Sequence, residues 1–167
     1  MSTFQQFWNQ PTKAYRNSQL FFGIFTVGFA IAAVNYGFMP GLSMQFFTQL
    51  DHLMGSANEG YPEPQNRIWV ALSAGNVITL SLMSYMLMRD LRKNIAVLPP
   101  LLLMKSASAA LFVYWWFHFP ESRSLLFAAL GDFATAWGVW YFPKKAIAEL
   151  SAKPAGAVTL LEPIVIS

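Results

Sequence analysis

Two apolar stretches follow each other between Val97 and Phe142, PLLLMKSASAALF and LLFAALGDFATAW, and each carries one charge in its middle, Lys105 and Asp132. Stretches of this kind belong in a lipid bilayer. No water satisfies the backbone there, and a helix is the form that satisfies its own N–H and C=O groups. A charge placed in hydrocarbon costs at least ~2.5–3.5 kcal/mol on insertion scales, so it is seldom left without a partner. The sequence therefore predicts that Lys105 and Asp132 pair.

The composition agrees. Only 11% of the 167 residues are charged, against about 25% in an ordinary soluble domain, and the mean hydropathy is +0.39. Four stretches are long and apolar enough to cross a ~30 Å hydrocarbon core at ~1.5 Å per residue: residues 18–39, 67–88, 97–117 and 123–142. The expected fold is all-α, an integral-membrane bundle of four transmembrane helices forming a single domain over residues 1–167. Within the first connecting loop, SMQFFTQLDHLMG puts Met44, Phe47, Leu50 and Met54 at helical spacing. That spacing predicts a short amphipathic helix lying in the membrane interface. SANEGYPEPQ then reads as an exposed, turn-rich connection.

Helix boundaries and packing sites can be read as well. Pro40-Gly41 ends the first span and Pro120 separates the third from the fourth. Pro99 and Pro100 fall in the first turn of the third, where proline is tolerated. Gly28 with Ala32, and Ala33 with Gly37, form small-xxx-small steps that let a neighbouring helix approach. Trp69 and Tyr85 are interface anchors at either end of the second span. The opening MSTFQQFWNQPTKAYRN is polar and aromatic, with no early apolar core, so it is not expected to be a cleaved signal. Its Phe4, Phe7 and Trp8 share one helical face suited to a membrane or partner surface. The tail AIAELSAKPAGAVTLLEPIVIS begins with residues able to prolong the fourth helix and ends in an apolar, β-branched segment too short to span.

Basic residues set the expected orientation. Lys13, Arg16, Arg89, Arg92, Lys93, Lys144, Lys145 and Lys153 fall on one side, and only Arg67 and Arg123 on the other. Both termini are thus expected to be cytoplasmic, in a bacterial inner membrane or an organelle equivalent.

Depth arithmetic supports the charge pair. From the cytoplasmic edge, Lys105 is about 12 Å deep, Asp132 about 15 Å and Asn76 about 18 Å. The third and fourth spans, joined by a very short loop, are antiparallel neighbours, so the two charges meet within about one helical turn. Ser73 and Thr79 flank Asn76 in helical projection, and Thr26 lies at similar depth. Lys105, Asp132, Asn76, Thr79, Ser73 and Thr26 thus form a candidate polar belt. It either fixes helix register or binds a polar ligand.

His52 in the first loop and His118 at the far end of the third span are candidates for contact with a haem or pigment. Interfacial placement in YWWFHFP is the plainer reading of His118. Asp51, Glu59 and Glu63 near His52 permit a weak divalent site that the spacing does not require, and no metal site is assigned. With no cysteine, thiolate ligands, cysteine nucleophiles and disulfides are excluded. There is no G-x-S-x-G, no H-E-x-x-H, no glycine-rich phosphate loop and no basic stripe for nucleic acid. The four-span layout with short loops is similar, in hydropathy alone, to small membrane families such as the DoxX-like group. That similarity implies the layout and carries no activity.

The function expected from the sequence is a non-catalytic accessory subunit of a larger integral-membrane complex, of the energy-converting or oxidoreductase kind. Such a subunit would sit among lipids and other membrane subunits, its aromatic residues in contact with quinone, carotenoid, chlorophyll or haem of the partner complex. The alternative is a stand-alone small-molecule-binding or transport protein using the Lys105–Asp132–Asn76 site. A third reading is a membrane enzyme acting on lipid or quinone, with the same belt as acid and base.

Overall fold

The computed structural model describes residues 12–56, 60–61 and 67–152. The terminal arms, with Phe4, Phe7, Trp8 and the apolar VTLLEPIVIS segment, lie outside them. The described residues form five α-helices: α1 Lys13–Phe38, α2 Pro40–Leu53, α3 Arg67–Arg89, α4 Leu98–His118 and α5 Arg123–Ser151. A 3-10 turn, Ile95–Val97, leads into α4. Helices α1, α3, α4 and α5 are long and apolar enough to cross a membrane, so the chain is an all-α, four-helix membrane bundle.

The spans stand where the hydropathy predicts, with two extensions. Helix α1 begins at Lys13 rather than Ser18, because Thr12 caps it by accepting the Tyr15 N–H at 3.1 Å and Glu149 of α5 accepts the Ala14 N–H at 3.3 Å. A carboxylate at a helix N-terminus is favoured by the helix dipole. Helix α5 runs through Pro143 to Ser151, past the expected end at Phe142. Proline removes one intrahelical hydrogen bond and ordinarily breaks a helix. Here Val139, Pro143 and Ala146 are all buried along one face, and that packing carries the helix across the interruption.

Helix α1 packs along α3, α4 packs along α5, and contact between α1 and α5 joins the two pairs, whereas α3 and α4 scarcely touch. The core explains this arrangement. Tyr15 and Phe22 of α1, Leu80 and Leu87 of α3, Leu91, Leu101 of α4, and Val139 and Ala146 of α5 form one buried cluster, which closes the half of the bundle nearer the termini. Tyr15 also accepts the Leu91 N–H through its phenol oxygen at 3.2 Å, and Gln19 donates to the Met88 carbonyl at 2.9 Å. At that end Lys144 lies over Trp140 and Lys145 over Tyr141, the aromatic-and-basic pairing expected of a membrane interface.

Of the two small-residue steps on α1, one is used against α3. Ala33 is buried, and a Cβ on Gly37 would touch Ala74 at 3.4 Å. Gly28 faces open space. The closest approach is elsewhere: a Cβ on Gly138 of α5 would come within 2.5 Å of the Phe21 ring. That ring is itself held against Phe25 and Phe142, so it has little room to turn away. Gly138→Ala is therefore expected to cost about 1–3 kcal/mol by overpacking, read as a lower unfolding midpoint in detergent. An unchanged midpoint would mean that α1 and α5 are not in contact at this point.

Helix α2 begins directly after Met39, a turn earlier than its apolar spacing alone suggests. Its apolar face (Met44, Phe47, Leu50 and Met54) is half-buried, with α2 resting on α1 and α5. Leu42 and Leu53 are exposed. Gly55, at φ +72°, ends the helix in the left-handed conformation that glycine adopts without steric cost.

Candidate functional site

Because the core fills one half of the bundle and α3 and α4 hardly meet, a groove of about 600 Å³ remains in the other half. Its wall includes Tyr36 of α1, Asn76 and Leu80 of α3, Lys105 and Ser108 of α4, and Asp132 of α5; Phe46 and Phe47 of α2 roof it. The size falls within the range of small-molecule sites, roughly 300–1,000 Å³.

Lys105 and Asp132 meet as the depth arithmetic predicts. Lys105 Nζ donates to Asp132 Oδ1 at 2.7 Å, with side-chain exposures of 10% and 16%. The pair is thus largely withdrawn from solvent yet still reaches the groove. Two further residues complete it. Ser108 donates its hydroxyl to Asp132 Oδ2, so each carboxylate oxygen has a donor. Lys105 Nζ also lies 4.6 Å from the centroid of the Phe29 ring on α1, where the ring face stabilises the cation. The cluster ties α4 to α5 by charge and to α1 by the cation–ring contact. Its net charge is zero.

The rest of the expected belt divides. Asn76 is exposed on α3 and shares the groove wall with the pair. Ser73 lines a smaller adjoining cavity of about 370 Å³ with Tyr36, Phe47 and Tyr61. Thr79 donates to the Gly75 carbonyl of its own helix at 2.9 Å, and Thr26 to the Phe22 carbonyl at 2.8 Å. Neither hydroxyl turns to the pair, because a threonine in hydrocarbon satisfies itself on the preceding turn. Thr26 takes part in packing instead through its backbone carbonyl, which accepts from Ser81 at 2.8 Å.

The histidines are both exposed. His118 Nδ1 lies 2.9 Å from the Tyr114 carbonyl and its ring rests against Tyr114 and Trp115, an interfacial aromatic cluster. His52 borders a shallow depression with Thr48 and Tyr61. Among the described residues no group of three or more His, Cys, Asp or Glu side chains is placed to hold a metal ion, and Glu59 and Glu63 lie outside them.

Asp51 has a different role from a divalent ligand. It is fully buried, accepts the Ser124 N–H at the start of α5, and accepts the Tyr61 hydroxyl at 2.8 Å. Tyr61 O–H and Ser124 Oγ are 2.8 Å apart. Helix α5 has no side-chain cap of its own, and Asp51 supplies one from α2. Burial pushes the Tyr61 phenol above its ordinary value; the neighbouring Asp51 carboxylate adds to the rise, and hydrogen bonds to Ser122 and Ser124 oppose it.

No protein-family model, curated protein or solved structure matches this chain.

Proposed function

We propose that this chain is a non-catalytic membrane protein that binds a small amphiphile in the groove between α3 and α4. The polar head sits against Lys105, Ser108, Asp132 and Asn76, and the apolar part lies toward the bilayer. The observation that carries this reading is the position of the charge cluster. A pair serving only to fix register has no need of an adjoining groove, whereas this one lines a groove of ligand size. The termini lie on the cytoplasmic side, with the basic ends of the helices.

Gly131 supplies the test. It lines the groove, and a Cβ there would meet nothing within 4 Å, so a larger side chain fills the groove without displacing the helices. The protein is purified from native membranes, bound small molecules are extracted and quantified by mass spectrometry, and Gly131→Leu is compared with wild type. An amphiphile present near one per chain in the wild type and reduced about tenfold in the variant supports the reading. Equal amounts in both, or none in either, would remove it.

The accessory-subunit reading keeps one described feature in its favour. The side on which α3 and α4 scarcely touch would also accept a helix of another integral-membrane subunit, as in an energy-converting or oxidoreductase assembly. Gentle detergent extraction and native-gel migration decide it. Migration in a large band with other subunits favours that role, and migration as a small particle excludes it.

A further inference from the structure

The head group that this groove suits can be narrowed from its chemistry, on the premise that the groove is a ligand site. Lys105 and Asp132 cancel in charge, so nothing in the cluster favours an anionic or a cationic head. Both oxygens of Asp132 already accept, one from Lys105 and one from Ser108. What remains includes several donors. An ammonium has three N–H groups and no acceptor, a primary amide has two N–H groups beside its carbonyl, and a phenol has one O–H that can also accept. Lys105, Asn76 and Tyr36 bring these to the one groove. Beside aliphatic residues such as Met104 and Leu111, the rest of the lining includes Phe46, Phe47, Phe112 and Phe127, and rings of this kind favour a flat partner that stacks or meets them edge-on. Because α3 and α4 scarcely touch, an apolar tail can leave between them without crossing the protein.

From this we infer that the groove takes a quinone-type lipid: a neutral planar ring with two carbonyl acceptors and an apolar tail. The carbonyls receive the donors of Lys105 and Asn76, the ring lies among the phenylalanines, and the tail extends into the bilayer. No electron or proton transfer is part of the inference. The oxidised ring is the better fit, because the Lys105 ammonium has donors and no acceptor, so it suits a carbonyl and offers nothing to the hydroxyl proton of a quinol.

The test uses the full chain in phosphatidylcholine nanodiscs, with empty nanodiscs as the partition control. The probes are decylubiquinone, its reduced quinol and palmitate, titrated by calorimetry. The expected result is saturable one-to-one binding of decylubiquinone, weaker by about fivefold for the quinol. Asn76→Leu, on an exposed position, should weaken decylubiquinone by about fivefold and Gly131→Leu by tenfold or more. If Gly131→Leu fails to fold, Ala107→Leu on α4, which also lines the groove, takes its place. Palmitate bound in a Gly131-sensitive way with no quinone binding overturns the quinone assignment and leaves the groove as a ligand site. Quinone binding that neither groove variant changes overturns the assignment too. No saturable probe, together with no co-purifying amphiphile, removes both.

Discussion

Lys105→Met is expected to cost the folded bundle about 3–5 kcal/mol, the usual loss when one member of a buried ion pair is removed. The carboxylate of Asp132 would then keep only the Ser108 hydroxyl as a direct donor. The Coulomb attraction lost is only part of the cost; most of it is the desolvation of a charge that no longer has a counterpart. The double variant Lys105→Met/Asp132→Leu removes both charges and is expected to recover most of the stability. The coupling between the two sites should therefore approach the upper end of what neighbouring residues show, about 3 kcal/mol. Unfolding in detergent for the four proteins of the cycle measures it, and simple additivity would mean that the two side chains do not act as a pair. The double variant separates stability from binding, because it is expected to fold yet lacks the charged part of the groove.

The pair was legible because the sequence contains both facts that determine it: charges isolated in apolar stretches, and a short loop that makes their helices antiparallel. Ser108 was legible in principle, three residues from Lys105 and so on the same face of α4, but a serine in a row of small residues carries no signal of its own. Phe29 was not legible. Which side of α1 faces α4 and α5 depends on packing among four helices whose apolar residues run all the way round. Depth alone overstated the belt at Thr26 and Thr79, since it places a hydroxyl along the membrane normal and not around the helix. The groove was beyond the sequence for a related reason. It exists because α3 and α4 scarcely touch, and hydropathy says nothing about which neighbours a span keeps. The fourth spanning helix, α5, continues past the end of its span into the tail, as the opening of the tail allows, and burial of Pro143 carries it there. Asp51 sits beside His52 in a polar run, and nothing local says that it caps a helix that begins at Arg123.

Asp51→Ala tests that cap and the placement of α2. Loss of an N-cap costs about 0.5–2 kcal/mol, and the Ser124 N–H left without its acceptor adds to it, for a local cost of about 1–3 kcal/mol. The four spans keep their own core, so the loss should fall on α2, and amide exchange over residues 40–56 should speed up by about tenfold or more. Exchange along α4 and the second half of α5 should stay as in the wild type. Acceleration spread evenly over all helices would show that Asp51 supports the whole bundle rather than α2. The phenol of Tyr61 gives a second reading of the same contact. Its folded-state value is raised, so the stability it contributes is present below the ordinary phenol range and is lost as pH rises through the folded value. Asp51→Asn, which keeps an acceptor but removes the charge, should lower the titration midpoint toward that of a free phenol, leaving the part that comes from burial. Because α2 carries Phe46 and Phe47 over the groove, loosening it should also raise the rate at which a bound amphiphile leaves. A change in that rate without a matching change in exchange over residues 40–56 would mean that α2 is not the cover.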